Sequence, residues 1–244
     1  MDQQTDVMVD GGHDQLARSV ADQLVSTLAA LQAQGRVPSV VLTGGTIADT
    51  VHREVAARAE DGRVDWSRVE FFWGDERFVA HDSDDRNERQ ARRALLDHLD
   101  VDESLVHAMP SDDGSLSLDE AAARYAEVVR DRAFDVVMLG VGPDGHVASL
   151  FPGKPTLDVD DRDTVAEPDS PKPPPARLSL TFAALNRGRE VWFLVSGSSK
   201  SDAVARALSG DAVTTTPAAG VRGSEQTMWM LDEAAASALP ADLR

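Results

Sequence analysis

Short apolar runs alternate with amphipathic segments along this chain, and no other feature of the sequence limits its possible folds as strongly. The runs at residues 39–43, 69–73 and 134–139 have the length and the β-branched or aromatic content of buried strands. Strands that alternate with helices, without an internal repeat, predict an α/β fold with a mostly parallel sheet flanked by helices on both faces. The first helix is indicated by apolar residues at helical spacing: Leu16, Val20, Leu24, Leu28 and Leu31.

The remaining elements follow from the same patterns. We predict helices after residue 46 and at 87–99, 117–130, 182–185 and 200–208, strands at 177–181, 190–195 and 227–231, and a terminal helix. Residues 154–176 are rich in Asp and Pro, and we expect a long surface loop there, either a flap beside a site or a solvent-exposed excursion. We expect residues 1–244 to form a single α/β domain.

Composition narrows the class of protein. The formal net charge of −18 argues against a nucleic-acid or anionic-membrane partner, because either requires a basic surface. The chain has no cysteine, which excludes disulfides and thiolate chemistry. Because no signal peptide or membrane span is visible, we expect a cytoplasmic enzyme or binding protein. The oligomeric state is left open.

Parallel sheets bind their ligands at the carboxyl ends of the strands, so the turns that follow the predicted strands are the candidate site. The first turn contains Gly44, Gly45 and Thr46. Two glycines before a helix N-terminus provide backbone N–H donors for an anion such as a phosphate. The alternative is a tight turn in which Thr46 is the helix N-cap.

Two other turns carry basic residues. After strand 69–73, Arg77 can bind a phosphate through its planar guanidinium while Asp75 orients it or contacts sugar hydroxyls; a surface ion pair is the alternative. Lys200 follows a small-residue turn at the start of a predicted helix. The helix dipole disfavours a cation there, and a bound anion would explain it, although a solvated lysine is also possible.

The fourth turn reads G-V-G-P-D-G-H and contains the G-x-G-x-x-G pattern of dinucleotide sites. That site requires a long helix after the third glycine, whereas Pro152 and Gly153 interrupt the chain here, so we reject it. Asp144 and His146 remain, a carboxylate that can set the tautomer of a histidine suited to proton transfer; a helix-capping histidine is the alternative. The other histidines are expected at the surface, without the spacing of metal ligands: His13, His52, His81, His98 and His107.

Several of these segments together resemble the 6-phosphogluconolactonase family. The resemblance covers nearly the whole chain and lies in T-G-G-T, W-G-D-E-R-F-V, G-V-G-P-D-G-H-V-A-S-L-F-P-G, R-L-S-L-T from Arg177, and the lysine after S-G-S-S. It implies a Rossmann-like fold, shared in its wider form with glucosamine-6-phosphate deaminase. The deaminase has A-F-N-E-P after its histidine, where this chain has A-S-L-F-P, so the resemblance favours the lactonase.

The resemblance also implies an activity and a set of site residues. The expected reaction is hydrolysis of 6-phospho-D-glucono-1,5-lactone in the oxidative pentose phosphate pathway, with His146 as general base and Asp144 as its partner, and with no metal, nucleotide or other cofactor. A deaminase, or a sugar-phosphate sensor without turnover, are the alternatives. Backbone N–H groups or an arginine are the candidate oxyanion donors. The expected substrate-binding residues are Gly44, Gly45, Thr46, Asp75, Arg77, Arg177 and Lys200.

Overall fold

The computed structural model describes residues 4–243, which form nine strands and six α-helices joined by turns and short 3-10 helices. The strands are β1 (Gln4–Asp10), β2 (Ser39–Leu42), β3 (Glu70–Trp73), β4 (Asp75–Arg77), β5 (Val136–Leu139), β6 (Thr164–Glu167), β7 (Arg177–Leu180), β8 (Glu190–Val195) and β9 (Gln226–Asp232). The helices are α1 (His13–Ala33), α2 (Thr46–Ala56), α3 (Asn87–Ala94), α4 (Leu118–Val129), α5 (Phe182–Leu185) and α6 (Ser201–Leu208).

Six strands form one sheet in the order β1-β9-β8-β5-β2-β3, and every pair in it is parallel. All residues of β2 and β5 are buried, although alternate side chains of a strand point to opposite faces. Both faces of the sheet centre are therefore covered, as the continuous apolar runs require. The predicted fold class, a mostly parallel sheet with helices, is confirmed.

The helices pack through one apolar face each, as their sequence pattern predicts. In α1, Leu16, Val20, Leu24 and Leu28 are all buried. Helix α4 begins with a capping box in which the Ser117 side chain accepts a hydrogen bond from the Glu120 backbone and the Glu120 side chain accepts one from the Ser117 backbone. This local signal explains why the predicted and observed bounds of α4 nearly coincide.

A second sheet of three antiparallel strands, in the order β4-β7-β6, changes our account of residues 154–176. We expected a long surface loop, but this segment contains a 3-10 helix at Pro155–Asp158 and the edge strand β6. The four residues Thr164–Glu167 include two β-branched residues and no proline, and they pack against α4. The prolines that follow, from Pro168 onward, lie outside this strand and interrupt none of its ladder hydrogen bonds.

Three other differences concern element ends. Strand β1 was not predicted; it lies at the edge of the main sheet, beside β9 alone. The predicted terminal helix is wrong for the part of the chain that the structure describes, where residues 233–238 form successive turns and Ala241–Leu243 a single 3-10 turn. Helix α3 ends at Ala94 because Leu95 leaves the helical region, with φ −139° and ψ −68°.

Candidate active site

The carboxyl ends of β2, β5 and β8 border a cavity of about 420 Å³. Thr43 and Gly44 follow β2, Gly140 follows β5, and Ser196 follows β8, and all four line it. Of the nine predicted site residues, eight also line this cavity. The ninth, Asp144, is hydrogen-bonded to one of these eight, His146. The predicted residues thus converge although they are separated by as many as 156 positions in the sequence, from Gly44 to Lys200.

The N-terminus of α2 borders the cavity. Gly45 is its N-cap, with φ 102°, and no side chain caps this helix, so the interpretation of Thr46 as N-cap is wrong. Gly44 is required by close approach, because a Cβ atom there would lie 1.9 Å from Oδ1 of Asn87. The first N–H groups of a helix lack intrahelical partners, and here they border a cavity that can hold an anion.

Asp144 and His146 form a hydrogen-bonded pair on the turn after β5. Oδ1 of Asp144 lies 2.5 Å from Nδ1 of His146, and Gly145 between them has φ 89°. Burial opposes ionisation of Asp144, but its hydrogen bond with His146 and the nearby positive charges outweigh burial and lower its pKa to about 2. Because an ionised carboxylate only accepts hydrogen bonds, Nδ1 of His146 donates, and Nε2 is left as the basic atom.

Two further side chains enclose the imidazole of His146. The Phe151 ring lies 4.6 Å from it, centroid to centroid. Nζ of Lys172 also lies close to this ring, 3.4 Å from Nδ1 and 3.5 Å from Nε2. Sequence reasoning missed Lys172, because it belongs to the segment expected to be a loop; its only signal was that the chain has three lysines, Lys154, Lys172 and Lys200.

The predicted residues Asp75 and Arg77 are held by a network with Asn87. Nη1 of Arg77 donates a short hydrogen bond to Oδ1 of Asn87, whose Nδ2 donates to the carbonyl oxygen and to Oδ1 of Asp75, at 2.9 and 3.2 Å. Oδ2 of Asp75 accepts from the Ser149 hydroxyl at 2.7 Å. Both carboxylate oxygens of Asp75 therefore have protein partners, and this network fixes the direction of the Arg77 guanidinium.

Arg177 lines the cavity, but its guanidinium is directed largely at the backbone. Its Nε donates to the carbonyl of Pro174 at 2.8 Å, and its Nη2 lies 3.2 Å from that of Lys172 and 3.3 Å from that of Pro173. Burial lowers the pKa of Arg177, and the neighbouring positive charge of Arg77 adds to this effect. Its observed contacts hold the segment that carries Lys172.

Lys200 and His13 also line the cavity. Lys200 ends a 3-10 turn just before α6, and burial lowers its pKa while Asp144 opposes that shift. His13 was expected at the surface, but it lines the cavity, with Nε2 2.8 Å from Oγ1 of Thr50 and Nδ1 3.0 Å from Oγ of Ser196. The prediction of a surface position is also wrong for His52, which is buried in α2.

Four cationic side chains thus line one cavity in a chain with a net charge of −18: Arg77, Lys172, Arg177 and Lys200. Within residues 4–243, His, Asp and Glu side chains form no group of three or more that could hold a metal ion. No helix in that range has both the length and the apolar character to cross a membrane. The site combines a cationic lining and a helix N-terminus with a histidine whose Nε2 can take a proton.

Comparison with known proteins gives concordant results. A relative from Mycobacterium leprae named 6-phosphogluconolactonase is 45% identical over 228 residues, which cover 89% of this chain and 92% of the relative. The crystal structure of 6-phosphogluconolactonase from Thermotoga maritima superposes with a TM-score of 0.80 at 30% identity, over 95% of this chain and 100% of that one. A monomeric glucosamine-6-phosphate deaminase, 19% identical with a TM-score of 0.83 over 96% of this chain and 99% of its own, shares the fold.

A family profile also matches residues 12–229, which include every predicted site residue. Its description covers two kinds of enzyme, glucosamine-6-phosphate isomerases and 6-phosphogluconolactonase. The family expected from the sequence motifs is therefore confirmed. This chain belongs to the glucosamine-6-phosphate isomerase/6-phosphogluconolactonase family.

Proposed function

We propose that this chain hydrolyses 6-phospho-D-glucono-1,5-lactone to 6-phospho-D-gluconate, as part of the oxidative pentose phosphate pathway. One observation carries the proposal: the His146–Asp144 pair and an anion-binding helix terminus lie at the same cavity. The relatives named 6-phosphogluconolactonase, at 45% and 43% identity over most of the chain, support it.

Phosphate binding is assigned to the end of the cavity formed by Gly44, Gly45, Thr46, Arg77 and Lys200. The N-terminus of α2 offers backbone donors and a partial positive charge, and Lys200 adds a full charge. A phosphate held there overcomes the long-range repulsion expected from an acidic chain, because the local charges are closer and less screened. Anchoring the phosphate orients the lactone relative to His146.

His146 acts as the general base in this proposal. Its Nε2 removes a proton from a water molecule as the water oxygen attacks the lactone carbonyl carbon, a role that contributes roughly 10²- to 10⁴-fold in rate. Ionised Asp144 holds the Nδ1–H tautomer and stabilises the imidazolium that forms. When the tetrahedral intermediate collapses, the ring C–O bond breaks and His146 returns the proton to the leaving ring oxygen.

The deaminase alternative is weakened by the surroundings of His146. The deaminase motif A-F-N-E-P has a glutamate where this chain has Phe151, and the Phe151 ring packs against the imidazole. An apolar ring there cannot exchange a proton with the histidine or with a substrate amine. This substitution supports the lactonase over the deaminase.

The test compares two substrates with the native protein. We expect acceleration of 6-phosphogluconolactone hydrolysis above the spontaneous rate, followed as acid release, and no ammonia from glucosamine 6-phosphate. Ammonia release would support the deaminase. Binding of 6-phosphogluconate without acceleration of either reaction would support the sensor.

Two broader predictions accompany this function. A single domain over 1–244 is supported by the pairing of β1 with β9, since strands near both described ends of the chain lie side by side in one sheet. The cytoplasmic location expected from the sequence stays a prediction, as the pathway does.

A further inference from the structure

Lys172 is a cation next to the proposed base, and the reaction described above gives it no role. Its Nζ is nearly equidistant from the two ring nitrogens of His146, at 3.4 and 3.5 Å. The ammonium group therefore lies against the side of the imidazole between Nδ1 and Nε2. A carbonyl group attacked by a water molecule bound at Nε2 would therefore lie close to this ammonium group.

The ammonium of Lys172 is available to a ligand. Among residues 4–243 it forms no ion pair with a carboxylate within 4.0 Å, whereas Lys154, in the same segment, pairs with Glu167 and Asp169. It cannot donate to Nδ1 of His146, which carries the proton shared with Asp144, and Nε2, at 3.5 Å, can accept only one of its three N–H groups. A half-buried ammonium with unused donors is arranged to bind an oxygen atom in the cavity.

Several hydrogen bonds hold the backbone at and around Lys172 in place. Arg177 donates to the carbonyl oxygens of Lys172, Pro173 and Pro174, and the Ser170 hydroxyl accepts a hydrogen bond from the Lys172 backbone. Burial lowers the pKa of Lys172, while Asp144 opposes that shift. The cation is thus held in a partly desolvated position, where its field acts more strongly than in water.

Several other candidate donors near His146 have partners. The backbone N–H of Gly142 donates to the carbonyl of His146 at 3.0 Å. Arg77 donates to Asn87 through one nitrogen and is assigned to the phosphate above, and Arg177 donates to backbone carbonyls. Of the two remaining cations, Lys172 has its Nζ within 3.5 Å of the His146 ring nitrogens, and Lys200 is assigned to the phosphate in the function proposed above.

We propose that Lys172 is a catalytic residue whose ammonium group binds the lactone carbonyl oxygen and stabilises the oxyanion formed there; this inference rests on the proposed lactonase function. As the water oxygen bonds to the carbonyl carbon, the π electron pair of the C=O bond moves onto the oxygen beside Lys172, and His146 takes the proton of the water. The oxyanion then re-forms the carbonyl while the ring C–O bond breaks and the ring oxygen receives the proton from His146. Lys172 stays protonated throughout.

The same position gives Lys172 a second measurable effect. Hydrolysis turns the lactone into a carboxylic acid, which then loses its remaining proton to solvent, so the product carries a negative charge on the atoms that Lys172 contacts. The product is then held at both ends, by Lys200 and the α2 N-terminus at its phosphate and by Lys172 at its carboxylate. Lys172 should therefore strengthen inhibition by 6-phosphogluconate without affecting the binding of inorganic phosphate.

The test uses three variants of the full chain. Lys172→Met removes the charge and keeps the length, and Lys172→Arg keeps a charge. Arg162→Met is the matched control, because Arg162 is an exposed cation of the same segment that pairs with Asp161 outside the cavity. For each, kcat and KM are measured for the phosphorylated lactone, together with the inhibition constants of 6-phosphogluconate and of inorganic phosphate.

We expect Lys172→Met to lose roughly 10²-fold in kcat, the range for one oxyanion donor, with a small change in KM. Its inhibition constant for 6-phosphogluconate should rise about tenfold, while that for inorganic phosphate is unchanged. Lys172→Arg should recover part of kcat. Arg162→Met should have the kcat, KM and inhibition constants of the native chain. An unchanged kcat in Lys172→Met, or weaker binding of both inhibitors, would overturn the assignment. If the native chain itself does not accelerate hydrolysis, the proposed function fails instead.

Discussion

The chemistry of this site depends on residues of two kinds, those that a local motif identifies and those that only the tertiary fold brings in. Asp144 and His146 stand two positions apart on one turn, so their pairing was predictable from sequence. Lys172 and His13 reach the same cavity from segments 26 and 133 positions from His146. No local pattern marks such residues, because their approach depends on how β6, β7 and α1 pack.

Substitution of Gly142 tests how closely the turn after β5 packs against His146. A Cβ atom at residue 142 would lie 2.0 Å from Nδ1 and Cε1 of His146 and 2.4 Å from Oδ1 of Asp144. We therefore expect Gly142→Ala to displace the imidazole and lower kcat by about 10²-fold, since misplacement by about 1 Å has that cost. Steady-state kinetics with the phosphorylated lactone give the measurement.

The control for this variant is Gly12→Ala. A Cβ atom at residue 12 meets no atom within 4 Å, and its backbone is extended, with φ 175°. It should keep native kcat. Native kcat in Gly142→Ala as well would show that the ring position is not set by this contact.

At the scale of elements, the sequence predicted best where local and tertiary signals agree. Strands such as β5 and β8 are continuous apolar runs, and α4 begins with a capping box, so their positions were predictable. Strand β6 has four residues in an Asp- and Pro-rich segment, and its formation depends on pairing with β7. Because that pairing is non-local, the sequence of this segment predicted a loop.

Helix α2 carries the proposed phosphate turn and also a buried histidine, His52. Burial lowers the pKa of His52 to about 4, and its Nε2 has no hydrogen-bond partner among the described residues. Between pH 6.5 and about 4 the unfolded chain binds a proton at His52 that the folded chain does not, so the free energy of unfolding falls as the pH is lowered. The shift corresponds to roughly 3 kcal/mol.

We expect the free energy of unfolding of His52→Leu to fall less at low pH than that of the native chain, because the variant has no histidine at this position. Urea denaturation at pH 7 and pH 4.5 measures it, with His81→Leu as the control because His81 is exposed. The difference in unfolding free energy between the two pH values should be smaller in His52→Leu than in the native chain or the control. Equal pH dependence in all three would contradict the burial argument.

At the scale of the whole molecule, the charge distribution has two opposed parts. The chain has 42 acidic and 24 basic residues, yet the cavity collects four of its cations. Composition predicted the overall charge, and the strand-end rule predicted where the basic residues would meet. The number of cations in the cavity was not predictable, because Lys172 lies in a segment whose path depends on β6.

A net charge of −18 should make stability depend on salt. Like charges repel most in the compact folded state, and salt screens this repulsion, with a Debye length of about 30 Å at 0.01 M and about 10 Å at 0.1 M. We expect Tm to rise by several degrees between 0.01 and 0.3 M NaCl in thermal unfolding followed by circular dichroism. A Tm that is constant or falls over this range would mean that the surface ion pairs offset the repulsion.

The most direct test of the account is the rate of 6-phosphogluconolactone hydrolysis above background, measured side by side for the native chain and for His146→Gln. Glutamine is similar in size to histidine but is not a base. The account predicts acceleration by the native chain and a loss of roughly 10²- to 10⁴-fold in kcat in the variant, with KM nearly unchanged because the phosphate contacts remain. Equal kcat in the two proteins would contradict the role of His146 as the base.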